Sequence, residues 1–313
     1  MKKSQIKTLS ILAAAVVVLS ALLIGLSWEP PEKPMPELIP FSAEEITSFS
    51  YQTVLTSLSF EKQNDSWVLK NDPNFPVNSA LVDEMLQVLC STVAQDQLSD
   101  VDPEGFGLTA PQCVIEAMTA NNGATILIGS MNAVTDQLYV QVGPDVYLTD
   151  TSLLQAFSGS QLDLAQPYTI PRPDNHESLT IMNDLGSFTL SCVGSQTGGA
   201  DGKWRVRVGE TWVDADPDLA YNFYFLTWDM HWKSVVGYVT DNSQLSVYGL
   251  DTPQVRYTLT YGGEVFHLIL GTSLPDGTTY AMCADSNLVY TIDSILVQWL
   301  SQATAQSVLS HSQ

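Results

Sequence analysis

A chain of 313 residues, 45% hydrophobic and 15% charged, is long enough for two ordinary domains and has the composition of a folded protein. Its formal net charge of −22 at pH 7 predicts an acidic surface, which repels the phosphates of nucleic acids and the head groups of anionic lipids. The charge therefore argues against nucleic acid as a partner, and against adsorption to a membrane through a basic face.

The N-terminal region has the pattern of a membrane anchor. Residues 9–26 carry no charge, and at about 1.5 Å per residue they span roughly 27 Å as a helix, close to the thickness of the hydrocarbon core of a bilayer. Three lysines precede this run: Lys2, Lys3 and Lys7. We expect a cytoplasmic tail at 1–8, one transmembrane signal-anchor helix at 9–27, and a body outside the cytoplasmic membrane. A cleaved signal peptide is the alternative, with Gly25 and Ser27 before the cleavage point.

Two proline-rich segments divide the rest of the chain. Residues 28–40 contain five prolines and predict a semi-rigid stalk, and residues 167–176 predict a linker. We expect a first repeat domain at 41–166, a second repeat domain at 177–303, and a polar tail at 304–313.

The repeat is inferred from features that recur in the same order and at nearly the same separation. The recurring pairs are Trp67 and Trp204, Gly107 and Gly249, Gly129 and Gly271, Tyr139 and Tyr280, and Tyr147 and Tyr290. Within each copy, alternating strand-like runs form hairpins, and helices occur at separate points. This pattern predicts an α+β fold: two tandem copies of a mainly antiparallel sheet domain, with one or two helices each, preceded by the transmembrane helix.

The first copy is predicted, in chain order, to contain three strands, a helix, two hairpins and a short terminal helix. The predicted strands are 46–51, 57–60, 67–69, 113–120, 124–128, 138–142 and 146–148, and the terminal helix is 151–157. Asn78 or Ser79 is the expected cap of the long helix. Asn122-Gly123 is the expected type I′ turn of the first hairpin.

The second copy is predicted to repeat this order. Asp216 is the expected helix cap and Pro217 the first helical residue, where the missing N–H costs nothing. Gly262-Gly263 is the expected hairpin turn, and 293–300 the terminal helix.

One heptapeptide occurs in both copies, FGLTAPQ at residues 106–112 and YGLDTPQ at 248–254. We predict that it forms a structural joint between a helix and a hairpin, with the glycine at positive φ, the leucine in the core and the proline at the strand entry. The predicted joint residues are Phe106, Gly107, Leu108, Pro111, Tyr248, Gly249, Leu250 and Pro253. A shared catalytic group is not expected, since Thr109 of the first copy corresponds to Asp251 of the second.

The sequence contains no phosphate-binding loop, no G-x-S-x-G and no H-E-x-x-H pattern, so we predict no catalytic residue, no metal, no cofactor and no enzymatic activity. The acidic run 96–105 is predicted to be a solvated loop, because it lacks the register of a calcium loop. No C-x-x-C spacing occurs, and we favour buried thiols over disulfides. The four cysteines are Cys90, Cys113, Cys192 and Cys283.

One segment offers a candidate ligand site. Trp228 and Trp232 are four residues apart and flank His231, which predicts the end of a helix with both indoles covering the core. The alternative is a ligand platform, in which the indole faces stack on a sugar or a peptide.

The order of these motifs resembles that of a family of exported bacterial proteins, the domain of unknown function 4340 (DUF4340). Four features are in common, and each occurs in both copies. They are a strand that contains a tryptophan (Trp67, Trp204), the aromatic-Gly-Leu-x-x-Pro signature of the heptapeptide, a strand that ends in Ile/Leu-Gly (Gly129, Gly271) and a hairpin that contains a tyrosine (Tyr139, Tyr280). The resemblance implies an accessory role beside ABC-transporter components of the gliding-motility type. We therefore expect a non-enzymatic accessory, scaffold or binding protein whose partners are the membrane and ABC-transporter permease subunits. The alternative is an independent extracellular module that binds carbohydrate or peptide.

Overall fold

The computed structural model of the protein describes residues 37–99, 101–173, 177–193 and 203–309. The predicted transmembrane helix at 9–27 lies outside the described residues. Within the described ranges, every helix is too short or too polar to cross a membrane.

The first copy is built on an eight-stranded antiparallel sheet. Its strands are β1 Ile46–Thr53, β2 Ser57–Gln63, β3 Ser66–Leu69, β4 Asp96–Leu98, β5 Cys113–Thr119, β6 Gly123–Met131, β7 Leu138–Val142 and β8 Asp145–Thr149. They lie side by side in the order β3-β2-β1-β5-β6-β7-β8-β4. Helix α1, Ser79–Ser91, connects β3 to β4, and helix α2, Ser152–Ala156, follows β8.

The second copy is built on a nine-stranded antiparallel sheet. Its strands are β9 Ser178–Asn183, β10 Gly186–Val193, β11 Lys203–Val208, β12 Thr211–Asp214, β13 Ser234–Tyr238, β14 Val255–Tyr261, β15 Glu264–Ser273, β16 Thr278–Cys283 and β17 Leu288–Asp293. They lie in the order β12-β11-β10-β9-β14-β15-β16-β17-β13. Helix α3, Pro217–Asp229, connects β12 to β13, and helix α4, Ser294–Gln302, follows β17. Without β12 the order is that of the first sheet, which confirms two tandem copies of one mainly antiparallel domain.

The long helix of each copy begins at a predicted cap. The side chain of Asn78 accepts a hydrogen bond from the backbone N–H of Leu81 at 3.3 Å, and Asp216 accepts from Leu219 at 3.2 Å. Helix α1 then buries a face spaced by three and four residues against the first sheet, consisting of Val82, Met85, Leu86 and Leu89. The sequence thus determines both where the helix starts and which face it buries.

The first hairpin turn differs from its prediction. The backbone N–H of Thr119 donates to the carbonyl of Asn122, so the turn is centred on Ala120-Asn121, two residues earlier than Asn122-Gly123, and Gly123 is the first residue of β6. The hydroxyl of Thr119 accepts hydrogen bonds from the N–H groups of Asn121 and Asn122, and this local bonding replaces the type I′ turn. In the second copy the two-residue turn is as predicted, with Gly262 at φ 55° and Gly263 at φ 81°.

The acidic run 96–105 was predicted as a solvated loop. None of its described residues is buried, as predicted, but most of its length is not a loop. Its start is the edge strand β4, which pairs with β8. Asp102 caps a short 3₁₀ helix, Pro103–Phe106, by accepting from Glu104 N–H at 3.1 Å. Asp241 caps the corresponding 3₁₀ helix of the second copy, Asn242–Tyr248. An aspartate recurs at this place because each helix needs a cap.

The folded body extends beyond the predicted domain boundaries at both ends. Leu38 and Ile39, predicted to lie in the stalk, are buried in the first core. Val308, predicted to lie in a polar tail, is fully buried in the second core, and its carbonyl accepts from Asp216 N–H at 2.8 Å. Short apolar segments flanked by polar residues thus pack onto the sheets although they lack a strand or helix pattern.

Candidate functional site

The repeated heptapeptide forms the same turn in both copies. Gly107 and Gly249 end the two 3₁₀ helices in the left-handed region, at φ 72° and 65°, as predicted. The next residues, Leu108 and Leu250, are buried. The chain therefore reverses at the glycine and fixes the turn to the interior through the leucine.

The turn packs against strand β6 in the first copy and against strand β15 in the second. A methyl group on Gly129 would lie 2.3 Å from the carbonyl oxygen of Phe106, and one on Gly271 would lie 2.2 Å from that of Tyr248, so no side chain fits at either glycine. The side chain of the motif's final glutamine, Gln112, donates to the carbonyl of Gly129 at 2.8 Å.

Aromatic rings complete the joint on the next hairpin. The ring of Phe106 contacts that of Tyr139 with centroids 4.4 Å apart, and the ring of Tyr248 contacts that of Tyr280 at 5.1 Å. Two of the recurring pairs from which the repeat was inferred, Gly129/Gly271 and Tyr139/Tyr280, thus contact the heptapeptide in three dimensions. The joint is therefore a packing unit, and its two copies differ at the exposed residues Thr109 and Asp251.

The predicted linker is bound to the second copy. The N–H of Tyr168 donates to the hydroxyl of Tyr290 at 2.9 Å, and its carbonyl accepts from the indole N–H of Trp232 at 2.6 Å. The rings of Trp232 and Tyr290 stack with centroids 4.1 Å apart. The first copy contacts the same region, since Phe75 packs edge-on against Tyr238 at 5.1 Å.

The candidate platform residues Trp228, His231 and Trp232 are not brought together as predicted. Helix α3 ends at Asp229, so Trp232 is not on it, and the prediction that both indoles lie on one helical face is wrong. The ring of Trp228 stacks on Phe225 at 5.8 Å, whereas that of Trp232 stacks on Tyr290.

His231, the third member of the platform, is exposed and has partners of its own. One ring nitrogen lies 2.8 Å from the guanidinium of Arg172, and the other lies 2.8 Å from the carbonyl of Asp229. A ligand platform at Trp228 remains a prediction. Its ring stacks on Phe225, and Phe225 lines a surface groove.

The groove lies between α3 and α4 of the second copy, and we call it the α3–α4 groove. Its main part has a volume of about 730 Å³, and a further cavity of about 410 Å³ adjoins it, since both are lined by Asn222 and Trp299. The main part is lined mostly by apolar side chains: Tyr221, Phe225, Leu226, Ile295, Leu296 and Trp299. Ile295 and Trp299 are 66% and 64% exposed, which is unusual for side chains of their size.

The corresponding site in the first copy is smaller and more polar. There α1 and α2 pack against each other, and the cavity beside them has about 330 Å³ with Glu84, Gln155 and Asp163 in its lining. Counting from the capping aspartates Asp150 and Asp293, the exposed Ile295 and Trp299 stand where the first copy has Ser152 and Ala156. The groove is therefore a feature of the second copy and not of the fold.

The sequence contained a signal for this groove. Helix α4 is apolar on two faces, because Val297 and Leu300 are buried while Ile295 and Trp299 face outward. An amphipathic helix of a domain of this type needs only one apolar face. The second face marks a surface that the sequence analysis did not identify.

Cys113 and Cys283 are buried thiols, as expected from the sequence, whereas Cys90 and Cys192 are only half-buried, so the prediction of buried thiols is wrong for these two. Burial raises the pKa of the Cys113 thiol to about 11, and burial together with the nearby Asp285 carboxylate raises the pKa of the Cys283 thiol to about 12. Among the described residues, no cluster of three or more His, Cys, Asp or Glu side chains is arranged to hold a metal ion.

These thiols predict a loss of stability in alkali. In the unfolded chain both ionise near the ordinary value of 9.0, whereas in the folded chain they keep their protons to about 11 and 12. The unfolded state therefore binds fewer protons between these values, and the free energy of unfolding falls as the pH rises above about 9. Denaturant titrations from pH 8 to about 9.5 measure this slope, because the tyrosines of the unfolded chain ionise mainly above this range, near pH 10. A Cys113→Ala/Cys283→Ala variant is expected to show a shallower slope, and an unchanged slope would contradict the assignment.

The fold and the joint define the protein as a tandem duplication of an α+β domain, with a helix-to-hairpin joint in each copy. The chain belongs to the family described as "Domain of unknown function (DUF4340)", whose family profile matches residues 67–168 and 233–307, more than half of the chain. The two matched segments fall one in each copy. No curated protein shows significant similarity to the chain. Helix α4 lies inside the second matched segment, and α3 lies outside it.

Proposed function

We propose that this protein is a membrane-anchored, extracytoplasmic binding protein without catalytic activity, which serves as an accessory or scaffold of an envelope complex containing an ABC transporter. The observation that carries the proposal is the α3–α4 groove, an exposed apolar surface on a strongly acidic body. The uncharged run at 9–26 supports the anchor, and the family resemblance supports the transporter as the partner.

The groove supports binding because its exposure is unfavourable in isolation. An exposed aromatic or aliphatic side chain gains about 1.5–3 kcal/mol when it is fully buried, and such residues concentrate at protein interfaces. Trp299 and Phe225 are of the residue types that dominate binding energies at interfaces. A partner that buries these side chains therefore gains favourable binding free energy from apolar surface that is exposed to water in the free protein.

The test is purification of the full-length protein from gently solubilised membranes. We expect ABC-transporter permease subunits to co-purify with it, and Trp299→Ala to reduce their recovery. Trp212→Ala is the matched control, because Trp212 is also a partly exposed tryptophan of the second copy but lies on β12, outside the groove. Isolation of the wild-type protein as a free monomer would contradict the proposal.

A second candidate function is that of an independent extracellular binding module for carbohydrate or peptide. It is favoured by the aromatic rings of Phe225 and Trp299, since indole and phenyl faces also stack on sugars. A thermal-shift screen against envelope glycans and peptides tests it. A screen without any stabilising ligand would argue against this candidate and would leave the first untouched.

A further inference from the structure

The shape and charge of the α3–α4 groove indicate what it binds. We propose that its occupant is an amphipathic helix of a partner protein, whose apolar face enters the groove and whose flanks carry Lys or Arg. This inference rests on the proposed binding function and names the chemistry of the partner segment.

The apolar lining matches a helix better than a sugar. Leu226, Ile295 and Leu296 line the groove beside the aromatic residues, and aliphatic side chains offer no hydrogen bonds to sugar hydroxyls. The groove also lies between two helices, and α4, with 9 residues, is about 13 Å long. A third helix placed along it can insert apolar side chains at i, i+3, i+4 and i+7, as in known helix-in-groove complexes.

The edges of the groove are acidic. Asp218 and Asp229 lie on the same face of α3 as Asn222 and Phe225, because these residues are spaced by four, three and four positions. The start of α4 adds Asp293 to the lining. Residues 217–229 and 294–302 contain no lysine, arginine or histidine.

One lysine lies near this acidic edge and offsets it only in part. The ammonium of Lys233 is 4.0 Å from the carboxylate of Asp293, and both side chains are at least half exposed, so their interaction is weak. A second cation, Arg172, contacts His231 beside Asp229. The three carboxylates of Asp218, Asp229 and Asp293 outnumber these two cations, so the charge around the groove is net negative, as for the whole protein. Such a field attracts a helix with cationic flanks and repels one with anionic flanks.

The experiment uses the full-length chain in nanodiscs of zwitterionic lipid, with empty nanodiscs as the blank. The probe is a fluorescent helical peptide of about 16 residues, made of Leu and Ala along one face with Lys on both flanks. A second peptide has Glu in place of every Lys. Anisotropy titrations are expected to show binding of the Lys peptide and at least about tenfold weaker binding of the Glu peptide.

Two variants locate the binding. Trp299→Ala is expected to weaken binding of the Lys peptide by at least about tenfold, whereas Trp212→Ala leaves it unchanged. Asp229→Asn is expected to weaken binding of the Lys peptide but not of the Glu peptide, and to reduce the salt dependence. Asp229 ends α3, where a negative charge opposes the helix dipole, so its neutralisation does not destabilise the helix.

The outcomes separate this inference from the proposed function. Equal affinity for the two peptides, or full binding by the folded Trp299→Ala variant, would overturn the inference. Permease capture that survives Trp299→Ala would also overturn it; the transporter would remain the partner, but the groove would not be the surface that binds it. Peptide binding at the groove without capture of any permease would sustain the inference and contradict the transporter partner. A blue shift of tryptophan emission in nanodiscs without peptide, lost in the Trp299→Ala variant, would show that lipid covers the groove and would count against a protein helix as the occupant.

Discussion

Replacing Tyr290 by alanine is expected to lower the free energy of unfolding by about 3–5 kcal/mol, in the range for the loss of a large buried aromatic ring. Tyr290 is fully buried, its ring stacks on Trp232, and its hydroxyl accepts from the N–H of Tyr168. Although it belongs to β17 of the second copy, it packs in the hydrophobic core of the first. The variant should therefore lose amide protection in β1–β8 as well as around its own strand, which hydrogen exchange measures together with denaturant unfolding.

Two variants separate the contributions to this effect. Tyr290→Phe keeps the ring but removes the acceptor for Tyr168 N–H, and is expected to cost about 1–3 kcal/mol. Tyr147→Ala removes the corresponding residue of the first copy, which is half-buried, and should cost less than Tyr290→Ala. An equal cost at Tyr147 and Tyr290, or exchange confined to the second copy, would show that Tyr290 does not couple the two copies.

Replacing Gly129 or Gly271 by alanine is expected to lower the free energy of unfolding by about 1–3 kcal/mol, the usual range for an overpacked site. The added methyl group would lie 2.3 Å from the carbonyl oxygen of Phe106, or 2.2 Å from that of Tyr248. These oxygens belong to the backbone of the joint. The buried leucine and the left-handed glycine of each copy hold this backbone in place, so the oxygen cannot move away from the added methyl group. Denaturant unfolding of the two single variants measures the cost in each copy.

Gly105→Ala is the control for these substitutions. Gly105 lies in the same 3₁₀ helix as Phe106, but a methyl group there would have no heavy atom within 4 Å. Its replacement is expected to change the free energy of unfolding by less than about 1 kcal/mol. Alanine lowers the conformational entropy of the unfolded chain, and this effect alone would stabilise the folded state. A cost at Gly105 as large as that at Gly129 would show that the close approach of the joint to β6 is not the cause.

The repeat, most strands and both long helices could be predicted from the sequence because their signals are local. Apolar alternation identifies β5 and β14, and the caps Asn78 and Asp216 identify the helix starts. The joint could also be predicted, since a glycine between an aromatic residue and a leucine needs a special backbone conformation. Its partners, Gly129 and Gly271, were recognised as repeated residues, but their contact with the joint required the three-dimensional structure.

The edge strands and the groove could not be predicted because their causes are not local. The polar residues of β4 form a strand only because the exposed edge of β8 offers hydrogen bonds. Helices α3 and α4 are far apart in the sequence, and the groove exists only where the sheet brings them side by side. Helix α3 likewise ends at Asp229, and Trp232 three residues later stacks on Tyr290, a contact between residues that are far apart in the sequence.

The strand order has a consequence for folding during synthesis. In each sheet the first strand pairs with a strand that follows the long helix, β1 with β5 and β9 with β14, and the edge strand between them pairs with the last strand of its copy. A nascent chain that has just emerged can therefore form only the local hairpins, such as β2–β3, and leaves one edge of β1 without hydrogen bonds. Such non-local pairing slows folding. The first sheet of the growing chain thus stays open until β8 has emerged, and during that interval a holdase chaperone is most useful to it.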